Sequence, residues 1–188
     1  LMLELPETPL TPAQVLGALA EMAAQSEAAA LRLPETEGSQ DVWHGLVFSV
    51  AGVRLACAMG EVSEMLPHRD HITRVPGAKP WVLGLSNVRG SLLPVVDMQL
   101  FLGGKAIVAS KATRILVLRL RGLVVGLLVP SVQGMRHFQI ENRLPDARVK
   151  GALGAYVYEA FRVGEDVFPV ISMQALAADP EFRSAAAQ

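Results

Sequence analysis

The sequence is short of cysteine, of aromatic residues and of charge, and each shortage removes a class of function. Its one cysteine, Cys57, excludes an internal disulfide, and the apolar residues around it make it a small buried hydrophobe. Aromatic residues are 5% of the chain, charged residues 19% and hydrophobic residues 51%. Such a chain buries a core, and that core must be aliphatic, built from Val, Leu, Ile, Ala and Met. The formal net charge is -1. A sequence-independent grip on nucleic acid needs a basic stripe, which this balance does not supply. The densest basic stretch, Arg114 to Arg121, lies in an apolar strand pattern that splits its charges between two faces or leaves them at the ends.

Motifs of chemistry are also missing. There is no G-x-S-x-G nucleophile turn, no Walker loop and no G-x-G-x-x-G after a strand. Gly103-Gly104-Lys105 lacks the upstream glycine and the following Ser or Thr of a phosphate cradle. His68 and His71 form an H-x-x-H in a polar loop without a third ligand, so neither a metal nor another cofactor is expected. Glu61 and Glu64 read as solvated charges at a strand edge. The N-terminus has no basic region followed by an apolar core. Apolar runs reach roughly ten residues, half of what a membrane-spanning helix needs. The expectation is a non-enzymatic cytoplasmic protein without membrane insertion.

Residues 1–40 form a leader with a helix. Thr11-Pro12-Ala13-Gln14 has the form of a helix start, and Val15, Leu19 and Met22 follow at helical spacing. This helix, over about 11–31, either docks on its own domain or serves as a partner-binding arm. Leu33 to Asp41 is polar and reads as a linker.

From Trp43 the pattern changes to strands. Four hairpins are legible: Leu46–Val50 with Val53–Cys57 around Ala51-Gly52, Trp81–Val88 with Leu92–Val96 around Arg89-Gly90-Ser91, Arg114–Leu120 with Leu123–Val129 around Arg121-Gly122, and Ala155–Val163 with Asp166–Ile171 around Gly164-Glu165. Val62 to Leu66 is either a short strand or a helical turn. Short strands, regular turns and little helix predict a mainly β chain of small barrels rather than a parallel sheet. The strands group in chain order as barrel 1, about 43–100, and barrel 2, about 107–172. Two such small bodies must share an interface to bury enough surface. Ser172 to Ala178 reads as a short closing helix, and Asp179-Pro180 as a cap before the alanine-rich tail at 178–188.

One segment carries most information: Val82-Leu83-Gly84-Leu85-Ser86-Asn87-Val88-Arg89-Gly90-Ser91-Leu92-Leu93-Pro94-Val95-Val96-Asp97. Two apolar runs meet at a polar turn that displays Asn87 and Arg89. Structurally, Asn87 bonds local backbone and Arg89 pairs with a carboxylate. Functionally, the turn presents a forked donor suited to a partner's carboxylates or carbonyls.

This segment resembles the signature of the CheW-like domain family, a G-x-x-N-x-R-G turn followed by an apolar run, Pro and Asp; the matching positions are Gly84, Asn87, Arg89, Gly90, Pro94 and Asp97. Val62-Ser63-Glu64-Met65 resembles the family's V-x-E-I element, Thr73-Arg74-Val75-Pro76 its T-R-I-P step, Lys79-Pro80-Trp81-Val82 its link to the next strand, and Gly126-Leu127-Leu128-Val129 its V-G-x-x-V strand. The likeness runs over about 43–177, and the domain is expected over 41–177. It implies two five-stranded barrels packed together and an adaptor's work. One surface would bind the cytoplasmic tip of a chemoreceptor and another the regulatory domain of a CheA-type histidine kinase. The implied receptor-facing residues are Val62, Glu64, Asn87 and Arg89, while Gly84, Gly90, Pro94 and Asp97 build the turn. Val62 has plain core as its alternative, and Arg89 a salt bridge that holds the turn. The G-L-S-N-V-R-G wording resembles adaptors of pilus-based, twitching-motility systems. Pro130 departs from the pattern, since the family often has an acidic residue there, and 131–150 matches weakly. The competing readings are a small-barrel module for peptides or nucleic acid, which would want basic and aromatic residues on one face, and an enzyme whose active site is assembled from distant residues.

Overall fold

Apolar alternation and glycine turns give the described residues twelve strands, arranged in two sheets. The computed structural model describes residues 41–68, 72–120 and 122–186. The expected helix at 11–31 and the linker lie outside the described residues, as does His71. The strands are β1 (Val42–Val50), β2 (Val53–Ala58), β3 (Glu64–Pro67), β4 (Ile72–Thr73), β5 (Val82–Val88), β6 (Ser91–Asp97), β7 (Arg114–Leu120), β8 (Leu123–Val129), β9 (Ser131–Gln139), β10 (Arg143–Leu144), β11 (Val157–Val163) and β12 (Asp166–Ile171). Three short helices follow the same numbering: α1 (Met98–Phe101), α2 (Met173–Ala178) and α3 (Pro180–Ala186).

All four hairpins form, but the strands do not group in chain order. One sheet, here sheet A, runs β10-β11-β12-β2-β1-β9, and the other, sheet B, runs β3-β7-β8-β6-β5-β4. The first hairpin therefore belongs with the C-terminal strands, and the third hairpin with the second. Each sheet holds six strands where five were expected. The physical reason is the pair of parallel contacts, β12 to β2 and β6 to β8, which join the first hairpin to the fourth and the second to the third and are invisible to local pattern. β9 was not expected either. It pairs only with β1, and its side chains are mostly exposed, so it shows no clear apolar alternation.

Both sheets curl. In sheet A, Phe138 of β9 lies 5.0 Å from Phe161 of β11 and 5.5 Å from Phe168 of β12, ring centre to ring centre, although those strands are far apart in the strand order. These rings, with Val47, Ala56, Val170 and Trp43, fill the inside of that curl. Sheet B encloses Leu93, Val95, Ile115, Val117 and Leu128 in the same way. The outer faces then meet in a shared core that joins Leu46, Phe48, Leu55 and Ile171 of sheet A to Val96, Leu116, Leu118, Val125 and Leu127 of sheet B. Each such buried side chain contributes roughly 1.5–3 kcal/mol. Where the sheets meet the core is mostly aliphatic, with Phe48 among the aliphatic side chains, whereas inside sheet A it is dominated by three phenylalanines. Cys57 is buried in the shared core, and burial, with the Glu61 charge second, pushes its thiol up to about 12, so it is inert.

The C-terminal segment is more ordered than a tail. Ser172 caps α2 by accepting from the Ala175 N–H at 3.1 Å. Asp179 caps α3, accepting from the N–H groups of Glu181 and Phe182, while its other oxygen accepts from the Tyr156 hydroxyl at 2.9 Å. Phe182 thereby reaches the shared core, fully buried. Desolvation pushes the Asp179 carboxyl up, but these three donors outweigh it and hold it below the usual range. A depressed folded-state value stabilises above the ordinary carboxylate pKa and is lost as pH falls through the folded value. We expect α3 to loosen below about pH 4, a range set by the ordinary Asp value, with faster hydrogen exchange at the Phe182 amide. In Asp179→Asn that acid dependence should disappear.

Candidate functional site

The β5–β6 hairpin turns on two residues, Arg89 and Gly90, with φ of 51° and 84°. Two consecutive positive values make the tight type I′ turn that matches sheet twist, and its first position favours Asn or Gly. Arginine there is held in the left-handed region at a cost of about 1–2 kcal/mol. Asn87 secures the turn, its Oδ1 accepting from the Gly90 N–H at 2.9 Å. Both halves of the structural expectation hold, because Arg89 also pairs with Glu64 of β3 at 2.6 Å.

That pair spans a seam. β3 and β4 are the two end strands of sheet B, and no ladder joins them among the described residues. Between β3 and the hairpin lies a cleft of about 130 Å³, lined by Leu66, Pro67, Ser86, Asn87, Val88, Arg89 and Ile115. Its floor belongs to the inner core of sheet B. The Arg89 side chain is 80% exposed and that of Glu64 23%. A pair so open to water contributes about 0–1 kcal/mol, so its worth lies in aiming the guanidinium. With five donors, Arg89 retains capacity for a second acceptor.

The remaining predicted residues build the support. Gly84 has φ 137°, and a Cβ there would stand 2.0 Å from the Thr73 carbonyl oxygen, so β4 can approach β5 only across a glycine. Pro94 sits opposite Leu85, one residue before the β6–β8 ladder begins at Val95, so its missing N–H costs no bond on that side. Asp97 is buried and accepts from the N–H groups of Leu100 and Ile107, capping α1 and fixing the connection to β7. Val62 is half-buried and packs against the shared core, beside the seam rather than in it. Ser86, Leu66 and Ile115 line the cleft and were not singled out from sequence. Ser86, a lone hydroxyl in an apolar strand, was the available signal.

Residues 44–181 match the CheW-like domain family. The chain belongs to that family. It is 36% identical to protein PilI of Pseudomonas aeruginosa over 148 residues, 77% of this chain and 81% of PilI. It is 32% identical to the chemotaxis protein CheW of Bacillus subtilis over 84 residues, 45% of this chain and 53% of that protein. The solved structure of the scaffolding protein TtCheW from Thermoanaerobacter tengcongensis superimposes with a TM-score of 0.63 at 24% identity, covering 73% of this chain and 94% of TtCheW. CheW-like proteins are scaffolds and adaptors that couple receptors to CheA-type kinases, not enzymes. Among the described residues, no helix is long and apolar enough to cross a membrane. Phe138, Phe161 and Phe168 are buried, so they offer no platform on which bases could stack.

Proposed function

We propose that this CheW-like chain is a cytoplasmic chemosensory adaptor that couples the tip of a methyl-accepting chemoreceptor to the regulatory domain of a CheA-type histidine kinase, in a type IV pilus (twitching motility) system. The observation that carries the reading is Arg89, kept at a strained turn position and aimed by Glu64 across an open seam. Strain of this kind is retained where a side chain has work beyond stability. The guanidinium and the Asn87 amide recognise acceptors on the receptor, and Val62 and Glu64 set the neighbouring surface. The likeness to PilI supports the pilus assignment. A rigid two-sheet body holding two partners converts a receptor shift into a differential binding energy, typically about 1–3 kcal/mol.

The test is Arg89→Asn. Asparagine suits the left-handed turn, so the unfolding midpoint in urea should hold or rise. Binding to a purified receptor tip should weaken about tenfold, equivalent to about 1.4 kcal/mol. Unchanged receptor binding would remove Arg89 from the interface.

A further inference from the structure

Sheet A carries a second feature that the hairpin site does not use. Arg54 of β2 and Arg136 of β9 both lie over the Phe168 ring, 5.1 and 4.8 Å from its centre. Phe168 is buried, and its ring marks one mouth of the aromatic core of sheet A. Around it opens a cleft of about 310 Å³, lined by Val47, Arg54, Gln133, Gly134, Met135, Arg136 and Phe168. Two like charges thus converge on one ring. Arg54 is neutralised by Asp166. Among the described residues, no carboxylate stands within ion-pair distance of Arg136.

The backbone beside Arg136 is also unusual. The β1–β9 register slips between Val47 and Phe48, leaving Gln133 unpaired, and Gly134 has φ 103°. Such a bulge re-aims the side chains that follow it. Met135, the next residue, lines the cleft while remaining 60% exposed. β9 is an end strand of sheet A and has no second ladder among the described residues. An exposed, adaptable thioether beside an uncompensated guanidinium is a pairing suited to protein contacts.

We propose that this mouth of sheet A is a second docking surface and that it takes an acidic segment of a partner protein, with a carboxylate on Arg136 and a neighbouring apolar side chain against the exposed Met135. Charge complementarity selects the occupant: among the described residues, one positive charge of the converging pair lacks a counter-charge, and a partner carboxylate supplies it in bidentate form. The surface lies on the opposite sheet from Arg89, so the two docking events need not compete.

The experiment uses the full chain, isotope-labelled for NMR, with a synthetic acetylated Glu-Leu-Glu-Glu-Leu-Glu peptide as probe. A Lys-Leu peptide of the same pattern and phosphatidylserine vesicles are the comparison arms. The acidic peptide should move the amide signals of residues 133–136 and Phe168 and should bind less well as salt rises. Arg136→Glu should weaken it about tenfold or more, and Met135→Ser by a smaller factor. If Arg136→Glu loses its fold by thermal melting, Arg136→Gln is read by the same criterion. Equal affinity of wild type and variant would overturn the proposal. So would shifts elsewhere, equal binding of the basic peptide, or binding to vesicles in place of the peptide. The receptor-tip assay with Arg89→Asn is read separately, so either result stands without the other.

Discussion

Gly84→Ala is expected to cost about 3–5 kcal/mol, combining strain at a positive φ with overpacking against fixed backbone. The atom that the new methyl group would meet is the Thr73 carbonyl oxygen at 2.0 Å, with the Thr73 carbonyl carbon at 2.6 Å and the Arg74 Cα at 3.0 Å behind it. None of these is the end of a flexible side chain. Relief requires β4 to leave β5, which undoes the Ile72–Ser86 and Thr73–Leu85 pairs. Urea unfolding should show the loss as a lower midpoint. Gly90→Ala, with open space around its Cβ position, should cost only the backbone strain, about 1–2 kcal/mol. A smaller loss at Gly84 than at Gly90 would contradict this account of the strand approach.

Asp97→Ala should follow at about 2–4 kcal/mol, the sum of a lost helix cap and an orphaned buried donor. Its two oxygens serve different masters: Oδ1 takes the Leu100 N–H at 2.9 Å and Oδ2 the Ile107 N–H at 2.8 Å. Asp97→Asn keeps one acceptor oxygen and should lose less. The distinguishing measurement is hydrogen exchange. In Asp97→Ala both the Leu100 and Ile107 amides should exchange faster, whereas in Asp97→Asn one of them should stay protected. Equal exchange at both amides in wild type and Asp97→Ala would mean that the carboxylate does not hold the connection.

What could be read from residue order was local. The Arg89-Gly90 and Ala51-Gly52 turns announce their hairpins because two-residue glycine-containing loops between apolar runs have few other conformations. Asn87, Arg89 and Glu64 were legible as a motif, and the structure brings all three to one seam. The sheet partners of those hairpins were not legible. Val95 meeting Gly126 and Val170 meeting Ala56 are parallel contacts, chosen by burial of both faces and not by any nearby turn. Phe182 was missed for a related reason. A single aromatic in an alanine-rich tail shows no periodicity, yet two capped turns suffice to deliver it to the core. Arg136 and Phe168 are 32 residues apart in a stretch that otherwise reads as ordinary strand and loop, so only the curl of sheet A puts them together.

The interleaving of the two sheets has a consequence for how the chain reaches its native state. β1 acquires its neighbour β9 only after the 80 residues 51–130 have emerged, and β2 its neighbour β12 only after the 107 residues 59–165. On the ribosome the first hairpin must therefore wait, half its apolar surface uncovered, while β3 to β8 complete their own ladder. Sheet B comes from one uninterrupted stretch, residues 64–129, inserted between the two groups of strands that make sheet A. Cutting the gene between residues 100 and 107 would yield two fragments that each lack strands held by the other, and the two-sheet fold would return only on mixing them.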